Sequence, residues 1–185
     1  MHPYEIALTL RHRGKQESIK LNYGSLYSVV DSLERRGWIA SHETEREGRR
    51  PERTVYELTG AGETELVDWL SELLAIPAKE YTQFEAGLSL MAGLAPDEVE
   101  RLLRRRIQLL TEEIKNMKEL DAMVSEEKLP RLFRIESEYV QMLREAELAW
   151  VTKLAEEIAS GALAGIDQWR EFIATQRARR ERRTQ

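Results

Sequence analysis

The chain has 185 residues and a formal net charge of −5, so it is long enough to bury the core of one or two domains, and it is not a polycation. It contains no cysteine, which excludes disulfides, thiolate metal sites and cysteine nucleophiles. The first residues lack the apolar core of a signal peptide, and no run approaches the roughly 20 apolar residues of a membrane helix. We therefore expect a soluble, cytoplasmic protein with no membrane partner, in which any contact with a polyanion comes from a local basic patch.

The first predicted element is a short helix over residues 4–13, which is apolar at Ile6, Leu8 and Leu10. Gly14 follows it, as glycine commonly follows a helix. The mostly polar stretch that comes next is interpreted as the connection to a second helix.

The second helix is predicted from about residue 22. Leu26, Val30 and Leu33 fall at i, i+4 and i+7, which places them in one apolar stripe, and Gly37 follows the last turn. The other side carries the small and polar side chains of Ser25, Ser28, Asp31 and Ser32. Such a helix can bury its stripe and leave its polar side for a partner.

Two short β-like runs follow at residues 38–43 and 53–58, joined by a turn in which Arg46, Arg49 and Arg50 cluster. A helix with a thin polar side, followed at once by a hairpin tipped with arginine, is typical of a winged helix-turn-helix. Helix-turn-helix domains place their second helix in the major groove of DNA. The pattern therefore predicts a DNA-binding domain.

After the hairpin, Thr59 can cap a helix over residues 61–75, and Pro77 stops that helix. We place the domain boundary there. The predicted domains are a winged-helix domain at residues 1–76 and a helical dimerisation domain with a basic tail at residues 77–185.

Two long helices dominate the second domain. The first is predicted from Pro96 to about residue 126, and the second from Pro130 to about residue 158. The first keeps coiled-coil spacing over about three heptads. Its apolar positions are Leu103, Ile107, Leu110, Ile114, Met117 and Val124.

The second long helix carries two separate apolar sides. One consists of Leu132, Ile135, Tyr139, Met142, Ala146 and Ala149, and the other of Val140, Leu143, Trp150 and Leu154. We expect one side to pack internally and the other against a second copy, because a homodimer is the simplest way to bury both. A closed monomeric bundle is the alternative. The predicted dimer contacts are Leu103, Ile107, Leu110, Ile114, Met117, Val140, Leu143, Trp150 and Leu154.

Several segments together resemble the PadR family of transcriptional regulators. They are MHPYEIA at the start, KLNYGSLYSVVDSLERRGWI from Lys20, and EGRRPERTVYELTxxG from Glu47. LPRLFRIESEY and ELAWV are similar to the helical dimerisation region of many members, so the resemblance spans nearly the whole chain. It implies a mainly α fold, with a winged helix-turn-helix domain and short β-hairpin wing followed by a long-helix dimerisation domain.

The resemblance also implies a function and one departure. Family members are typically homodimeric repressors that leave their operators when an effector, often a small aromatic or drug-like molecule, binds. In the family a further helix normally precedes the M-H-x-Y-E motif, at which this chain begins. We therefore expect Ile6, Leu10 and Leu26 to lack one of their usual neighbours.

Candidate DNA contacts follow from how winged helices dock. The amino-terminal part of the recognition helix enters the major groove, and wing arginines reach phosphates near or in the minor groove. The predicted base-edge or phosphate contacts are Asn22, Tyr23, Ser25, Tyr27 and Ser28, and the predicted backbone contacts are Lys15, Lys20, Arg46, Arg49 and Arg50. Core packing is the alternative for the two tyrosines, and a solvated turn is the alternative for the wing arginines.

A small-molecule site is predicted from aromatic residues of the helical domain. The candidates are Phe133, Tyr139, Trp150 and Trp169, which could line a slot between domains or subunits. Trp150 is the first choice, because it lies on a side that could meet the partner copy. Plain core packing is the alternative for each of them.

An enzyme is not expected. His2, His12 and His42 lie in three different settings without the spacing of metal ligands or a catalytic triad, and no phosphate-binding glycine loop follows a strand. No catalytic residue, metal or cofactor is therefore predicted. The alternative to a regulator is a winged-helix protein-interaction or assembly module that does not bind specific DNA.

Overall fold

The structure, a computed structural model, describes residues 1–15, 23–45, 53–126 and 129–184. These residues form seven α-helices, two short 3-10 helices and one two-stranded antiparallel sheet. The expected fold class, mainly α with a short β-hairpin, is confirmed. The chain divides into two units, Met1–Glu80 and Tyr81–Gln185. Within the described ranges, no helix combines the length and the apolar character needed to cross a bilayer.

The amino-terminal unit contains three helices and the hairpin: α1 (Pro3–His12), α2 (Tyr23–Arg35), β1 (Ile39–Glu45), β2 (Arg53–Leu58) and α3 (Gly60–Ala75). A reciprocal cap begins α1. The Nδ1 of His2 accepts a hydrogen bond from the Tyr4 N–H at 3.2 Å, and the Glu5 carboxylate accepts one from the His2 N–H at 3.2 Å. The helix therefore starts at the M-H-P-Y-E motif because the motif supplies its own cap.

Gly37 ends α2 in the left-handed conformation, with φ of +72°. This geometry lets the Gly37 N–H donate to the Glu34 carbonyl at 2.8 Å and the Trp38 N–H donate to the Leu33 carbonyl at 3.0 Å. Both bonds satisfy carbonyls that the end of the helix would otherwise leave open. The predicted helix end at this glycine is confirmed.

Thr59 and Gly62 attach the start of α3 to the turn after α2. The Thr59 hydroxyl accepts from the Gly62 N–H at 3.0 Å and donates to the Gly37 carbonyl at 2.6 Å, while the Thr59 N–H donates to the Trp38 carbonyl at 3.0 Å. Gly62 is buried, and a Cβ on it would overlap the Trp38 carbonyl oxygen. The T-x-x-G spacing thus combines a helix cap with a close backbone approach.

The carboxy-terminal unit is helical: α4 (Gln83–Leu90), α5 (Pro96–Glu126), α6 (Ile135–Ser160) and α7 (Ile166–Thr184). The start of α6 differs from the prediction. Pro130 has an extended backbone (φ −56°, ψ 143°) and a 3-10 helix, Arg131–Phe133, comes before Ile135. The basic end, which the sequence predicts as a tail, is helical to Thr184.

The α5 and α6 helices pack against each other in opposite directions. Arg106 near the start of α5 pairs with Glu147 in α6, whereas Asp121 near the end of α5 lies 3.5 Å from Arg134 just before α6. The buried apolar side chains among the described residues of this unit are Pro96, Val99, Leu103, Leu110, Ile114, Val151, Leu154, Ala155, Ile158 and Ile166. Seven of them form one apolar cluster between α5, α6 and the start of α7, namely Val99, Leu103, Val151, Leu154, Ala155, Ile158 and Ile166.

This core changes the interpretation of the predicted dimer contacts. Leu103, Leu110, Ile114 and Leu154 are buried within one chain, and Ile107, Met117 and Val140 are half-buried. A side chain already covered by its own chain has almost no area left for a partner, so we do not retain the four buried residues as contacts between copies. Of the nine predicted residues, Leu143 and Trp150 are exposed.

Candidate nucleic-acid interface

The α2 helix presents one exposed, mostly polar side. Val30 is buried and Leu26 is half-buried, so the predicted stripe faces inward. Tyr27, Ser28 and Arg35 are exposed, and the spacing of a helix places them on one side together with Asp31. A groove of about 600 Å³ runs along this side and is lined by Ser28, Asp31, Glu34 and Arg35.

The predicted DNA contacts differ in their exposure in the structure. Tyr27 and Ser28 lie on the exposed side of α2, whereas Ser25 is half-buried on another side. Tyr23 begins α2, and Lys15 is half-buried just after α1. The other predicted contacts, Lys20, Asn22, Arg46, Arg49 and Arg50, lie outside the described residues.

The exposed side of α2 carries both signs of charge. The Arg35 Nε donates to the Asp31 backbone carbonyl at 3.3 Å, and Asp31 itself is exposed. Burial raises the pKa of Tyr56 on β2, and the negative charges of Glu34 and Asp31 raise it further, so the Tyr56 hydroxyl stays protonated. A phosphate would therefore meet Arg35 beside acidic neighbours.

Arg35 is not among the contacts that the sequence predicted. It follows Ser28 by seven residues and Asp31 by four, so helical spacing alone puts all three on one side. Basic residues are common in the last turn of a helix, which made its position look like ordinary helix-end chemistry. The periodicity was the signal that could have identified it.

The wing strands are paired through the described part of the hairpin. Ile39 lies opposite Leu58 and His42 opposite Val55, and the register shifts between His42 and Glu45. A register shift of this kind increases the local twist of a hairpin. The His42 Nε2 lies 3.1 Å from the Glu57 carboxylate, and both side chains are exposed. The irregularity therefore lies directly before the segment that carries the predicted wing arginines, which is outside the described residues.

The predicted aromatic residues of the helical unit do not converge on one place. Trp169 is half-buried against the core, and its Nε1–H donates to the Leu94 carbonyl at 2.9 Å. Phe133 and Tyr139 are exposed. Trp150 is half exposed and meets the edge of Phe84, at 6.3 Å between ring centroids and 82° between planes.

Phe84 and Arg106 join Trp150 in a small cluster that the sequence did not predict. The Arg106 guanidinium carbon lies 3.8 Å from the centroid of the Phe84 ring, a cation–π contact. The same guanidinium donates to Glu147 through Nε, at 2.6 Å. Trp150 is thus the predicted effector residue that has both an aromatic and a cationic group nearby.

Residues 1–68 match the family model described as the transcriptional regulator PadR-like family. The family model describes regulators rather than enzymes, which agrees with the prediction from the sequence that an enzyme is not expected. A comparison with curated protein sequences finds no match.

Solved structures with the same fold span most of the chain. Bacillus subtilis PadR in complex with operator DNA is 17% identical, with a TM-score of 0.68 over 85% of this chain and 91% of that one. Bacillus subtilis PadR in complex with p-coumaric acid is 16% identical, with a TM-score of 0.66 over 86% and 90%. The Vibrio cholerae virulence activator AphA is 17% identical, with a TM-score of 0.61 over 85% and 89%. The resemblance seen in the sequence is therefore confirmed: the chain has the fold of a PadR-like transcriptional regulator, and its residues 1–68 match that family.

Proposed function

We propose that this protein is a homodimeric repressor that binds an operator through its winged helix and is released by a small aromatic effector. The observation that carries the proposal is the exposed side of α2, with Tyr27, Ser28 and Arg35, in a unit that matches the PadR-like family. Bacillus subtilis PadR, which has this fold, is known in complex with operator DNA.

In the proposed complex, α2 enters the major groove. Ser28 and Tyr27 present hydroxyl groups on the exposed side that can hydrogen-bond base edges or phosphates, and the Arg35 guanidinium suits a phosphate. Asp31 beside them accepts hydrogen bonds, for example from the amino group of a cytosine, and repels a badly placed phosphate. The wing arginines Arg46, Arg49 and Arg50, with Lys15, Lys20, Asn22, Tyr23 and Ser25, complete the proposed contacts.

The test is to select genomic fragments that the protein retains and to measure its affinity for the best duplex over a range of salt. Arg49→Ala with Arg50→Ala should lower the salt slope by about one unit for each phosphate that the variant no longer neutralises. The control, Arg104→Ala with Arg105→Ala on α5, removes the same charge far along the chain. A wild-type protein that retains no duplex at low salt contradicts the proposal and favours a protein-interaction module.

The homodimer is proposed from an exposed apolar row of α6 that combines residues of both predicted apolar sides. Ile135, Tyr139, Met142, Leu143 and Trp150 are each 45–58% exposed, although they lie on one side of a helix whose other side is buried. An exposed row of large apolar side chains typically marks a binding surface. A second copy would cover the same row on both chains.

Sedimentation tests this surface. Tyr139→Glu with Met142→Glu should give a folded monomer, because two charges enter an apolar contact without disturbing the buried side of α6. Gln108→Glu with Asn116→Glu adds the same charge at exposed polar positions of α5 and should remain dimeric. A dimeric Tyr139→Glu, Met142→Glu variant rules this side of α6 out as the interface.

The effector is proposed to bind at Trp150, where Phe84 and Arg106 lie close together. An aromatic ring can stack on the exposed part of Trp150, and a carboxylate can form an ion pair with the guanidinium of Arg106. Glu147 accepts a hydrogen bond from that guanidinium and so keeps it in place. Phe133, Tyr139 and Trp169 remain proposed secondary contacts. Bacillus subtilis PadR is known in complex with p-coumaric acid, an aromatic acid of this kind.

We therefore expect p-coumaric acid or a related aromatic acid to reduce duplex binding by the wild-type protein. Trp150→Leu should abolish that response. Because Trp150 also lies in the proposed dimer row, sedimentation must show that the variant is still a dimer, and its affinity for duplex without ligand should then equal that of the wild type. A loss of response in Trp169→Leu alone would place the site at Trp169, beside Leu94, instead. A reporter gene placed behind the selected fragment distinguishes repression from the activator role that the name of AphA implies for that relative.

A further inference from the structure

The end of α7 is strongly basic. Residues 177–183 contain five arginines and one glutamate and so have a net charge of +4. Because the whole chain has a net charge of −5, all other residues together carry −9. A concentrated positive segment on an otherwise acidic protein attracts anions locally in spite of the overall charge.

The arginines of this segment lie on more than one side of the helix. The helix continues to Thr184, and successive residues turn by about 100° in an α-helix, so Arg177 points away from Arg179 and Arg182. These three side chains are exposed. From residue 174 to residue 185 the chain has no apolar side chain larger than alanine, so no side of the helix is made for a core.

These arginines also differ from other arginines of the helical unit in their partners. Arg101 lies 2.6 Å from Glu98, Arg144 lies 2.9 Å from Glu113, and Arg104 pairs with Glu100. The ion pairs among the described side chains include none with Arg177, Arg179 or Arg182. The positive charges of Arg101, Arg104 and Arg144 are thus neutralised within the unit, whereas those at the end of α7 are available to an external anion.

We propose that the segment 177–183, the arginine helix, binds the phosphate backbone of duplex DNA as a contact additional to the winged helix. This inference rests on the proposed DNA-binding function, which brings a duplex to the protein. Arginine, rather than lysine, supplies every basic residue of the segment, and its planar guanidinium binds phosphate through two parallel hydrogen bonds. A helix that lies in a membrane surface needs an apolar side, which this segment lacks.

The contact has two measurable consequences. Phosphates carry no direct sequence information, so the arginine helix adds affinity for any duplex and leaves the preferred sequence unchanged. Each phosphate neutralised adds about 0.9 to the slope of log affinity against log salt. Three such contacts add about 2.7 to that slope, which corresponds to an extra loss of roughly 40-fold in affinity between 50 and 200 mM salt.

The test compares two triple variants of the full chain with equal charge. Arg177→Gln, Arg179→Gln and Arg182→Gln remove three exposed charges from the arginine helix. Arg101→Gln, Arg104→Gln and Arg105→Gln remove three from α5. Glutamine keeps the helix propensity of arginine, so both variants should retain the helical content of the wild type by circular dichroism.

Fluorescence anisotropy with the genome-selected duplex and with a random duplex of the same length gives the result. We expect the arginine-helix variant to lose about two to three units of salt slope on both duplexes, and the α5 variant to keep the wild-type slope. Equal slopes for the two variants overturn the inference and leave the proposed function intact. A wild-type protein that binds neither duplex overturns both.

A vesicle assay separates DNA from an anionic membrane as the partner. Vesicles with and without phosphatidylserine are mixed with the wild-type protein and with the arginine-helix variant. We expect neither protein to sediment with either vesicle at about 150 mM salt, since the segment has no apolar side to insert. Binding of the wild type to phosphatidylserine vesicles that is lost in the variant, together with unchanged DNA slopes, would assign the segment to membranes and overturn the proposal.

Discussion

The two units of this protein are stabilised in different ways. The helical unit has a continuous apolar core in which Val99, Leu103, Val151, Ile158 and Ile166 are buried together. In the winged unit, the buried apolar side chains among the described residues are those of Pro3, Ala7 and Val30, and none of them is larger than valine. That unit relies more on backbone contacts, above all those of Thr59 and Gly62 with the turn after α2.

The difference indicates what each unit can tolerate. A core that is close-packed loses stability when volume or polarity changes inside it, and loses little when a surface group changes. A unit held by a close backbone approach is instead sensitive at the point of that approach. The substitutions below separate these two modes of stabilisation.

The largest effect is expected in the core of the helical unit. Leu110 and Ile114 are 4% and 6% exposed, so Leu110→Glu with Ile114→Glu would bury two carboxylates. The cost should be at least about 5 kcal/mol, from the lost apolar burial and the desolvation of the charges, and the unit should unfold. Thermal unfolding followed by circular dichroism measures it.

The matched control for this pair lies on the same helix. Leu102→Glu with Leu109→Glu introduces the same charges at positions that are 42% and 48% exposed, and should keep the helical signal. If both double variants unfold alike, Leu110 and Ile114 are not more buried in the folded protein than Leu102 and Leu109, and the packing described for α5 is wrong.

The second largest effect is expected at Gly62 in the winged unit. A Cβ at this position would overlap the Trp38 carbonyl oxygen, which is backbone and cannot turn aside. Gly62→Ala should therefore destabilise the unit by about 1–3 kcal/mol, in the range of overpacking. Gly60→Ala in the same turn of α3 meets nothing within 4 Å and should be neutral or slightly stabilising.

Hydrogen exchange of the backbone amides resolves this pair by unit. Gly62→Ala should speed the exchange of β2 and α3 and leave α5 and α6 at wild-type rates. Equal exchange in the Gly60→Ala and Gly62→Ala variants would show that α3 is not held at Trp38.

A smaller effect separates two helix caps of the same chemistry. Thr59 caps α3 and also bonds to the Gly37 carbonyl, whereas Thr82 caps α4 through one bond, from the Glu85 N–H at 3.2 Å. Thr82→Ala should cost about 1 kcal/mol and Thr59→Ala about twice that, because two hydrogen bonds are removed. Thr59→Ser keeps the hydroxyl and should recover most of the stability; a serine variant as weak as the alanine variant would assign the effect to the missing methyl group instead.

Much of this fold could be read from the sequence, because local patterns determine it. The stripe of Leu26, Val30 and Leu33, the glycine that ends α2 and the threonine that caps α3 each act within one element. Helical periodicity also identified the apolar positions of α5. It could not state which surface covers them, since a heptad stripe packs equally well on its own chain or on a second copy.

The candidate site was less predictable for the same reason. Helical spacing could have identified Arg35, whereas the contact of Arg106 with Phe84 joins two elements that are separated in sequence, α5 and α4. Trp169 looked like a ligand residue in isolation, but its Nε1–H is bonded to a carbonyl 75 residues away. Contacts between distant elements decide whether an aromatic side chain belongs to a core or to a site.

The smallest expected effect concerns pH and the link between α5 and α6. The hydrogen bond from Lys118, and then that from Gln141, lower the pKa of Glu145 below its usual value of 4.5, and Lys118 lies 2.8 Å away on the other helix. A carboxyl whose pKa is lowered by folding adds stability above its unfolded pKa, and that stability is lost as the pH falls through the folded pKa. The melting temperature of the wild type should therefore fall more between neutral pH and pH values below 4.5 than that of Glu145→Gln.

Lys118→Gln should flatten the pH dependence in the same way, and adding Glu145→Gln to it should change little further. Full additivity of the two substitutions would mean that this pair does not link the helices, and that the apolar core alone sets the stability of the helical unit.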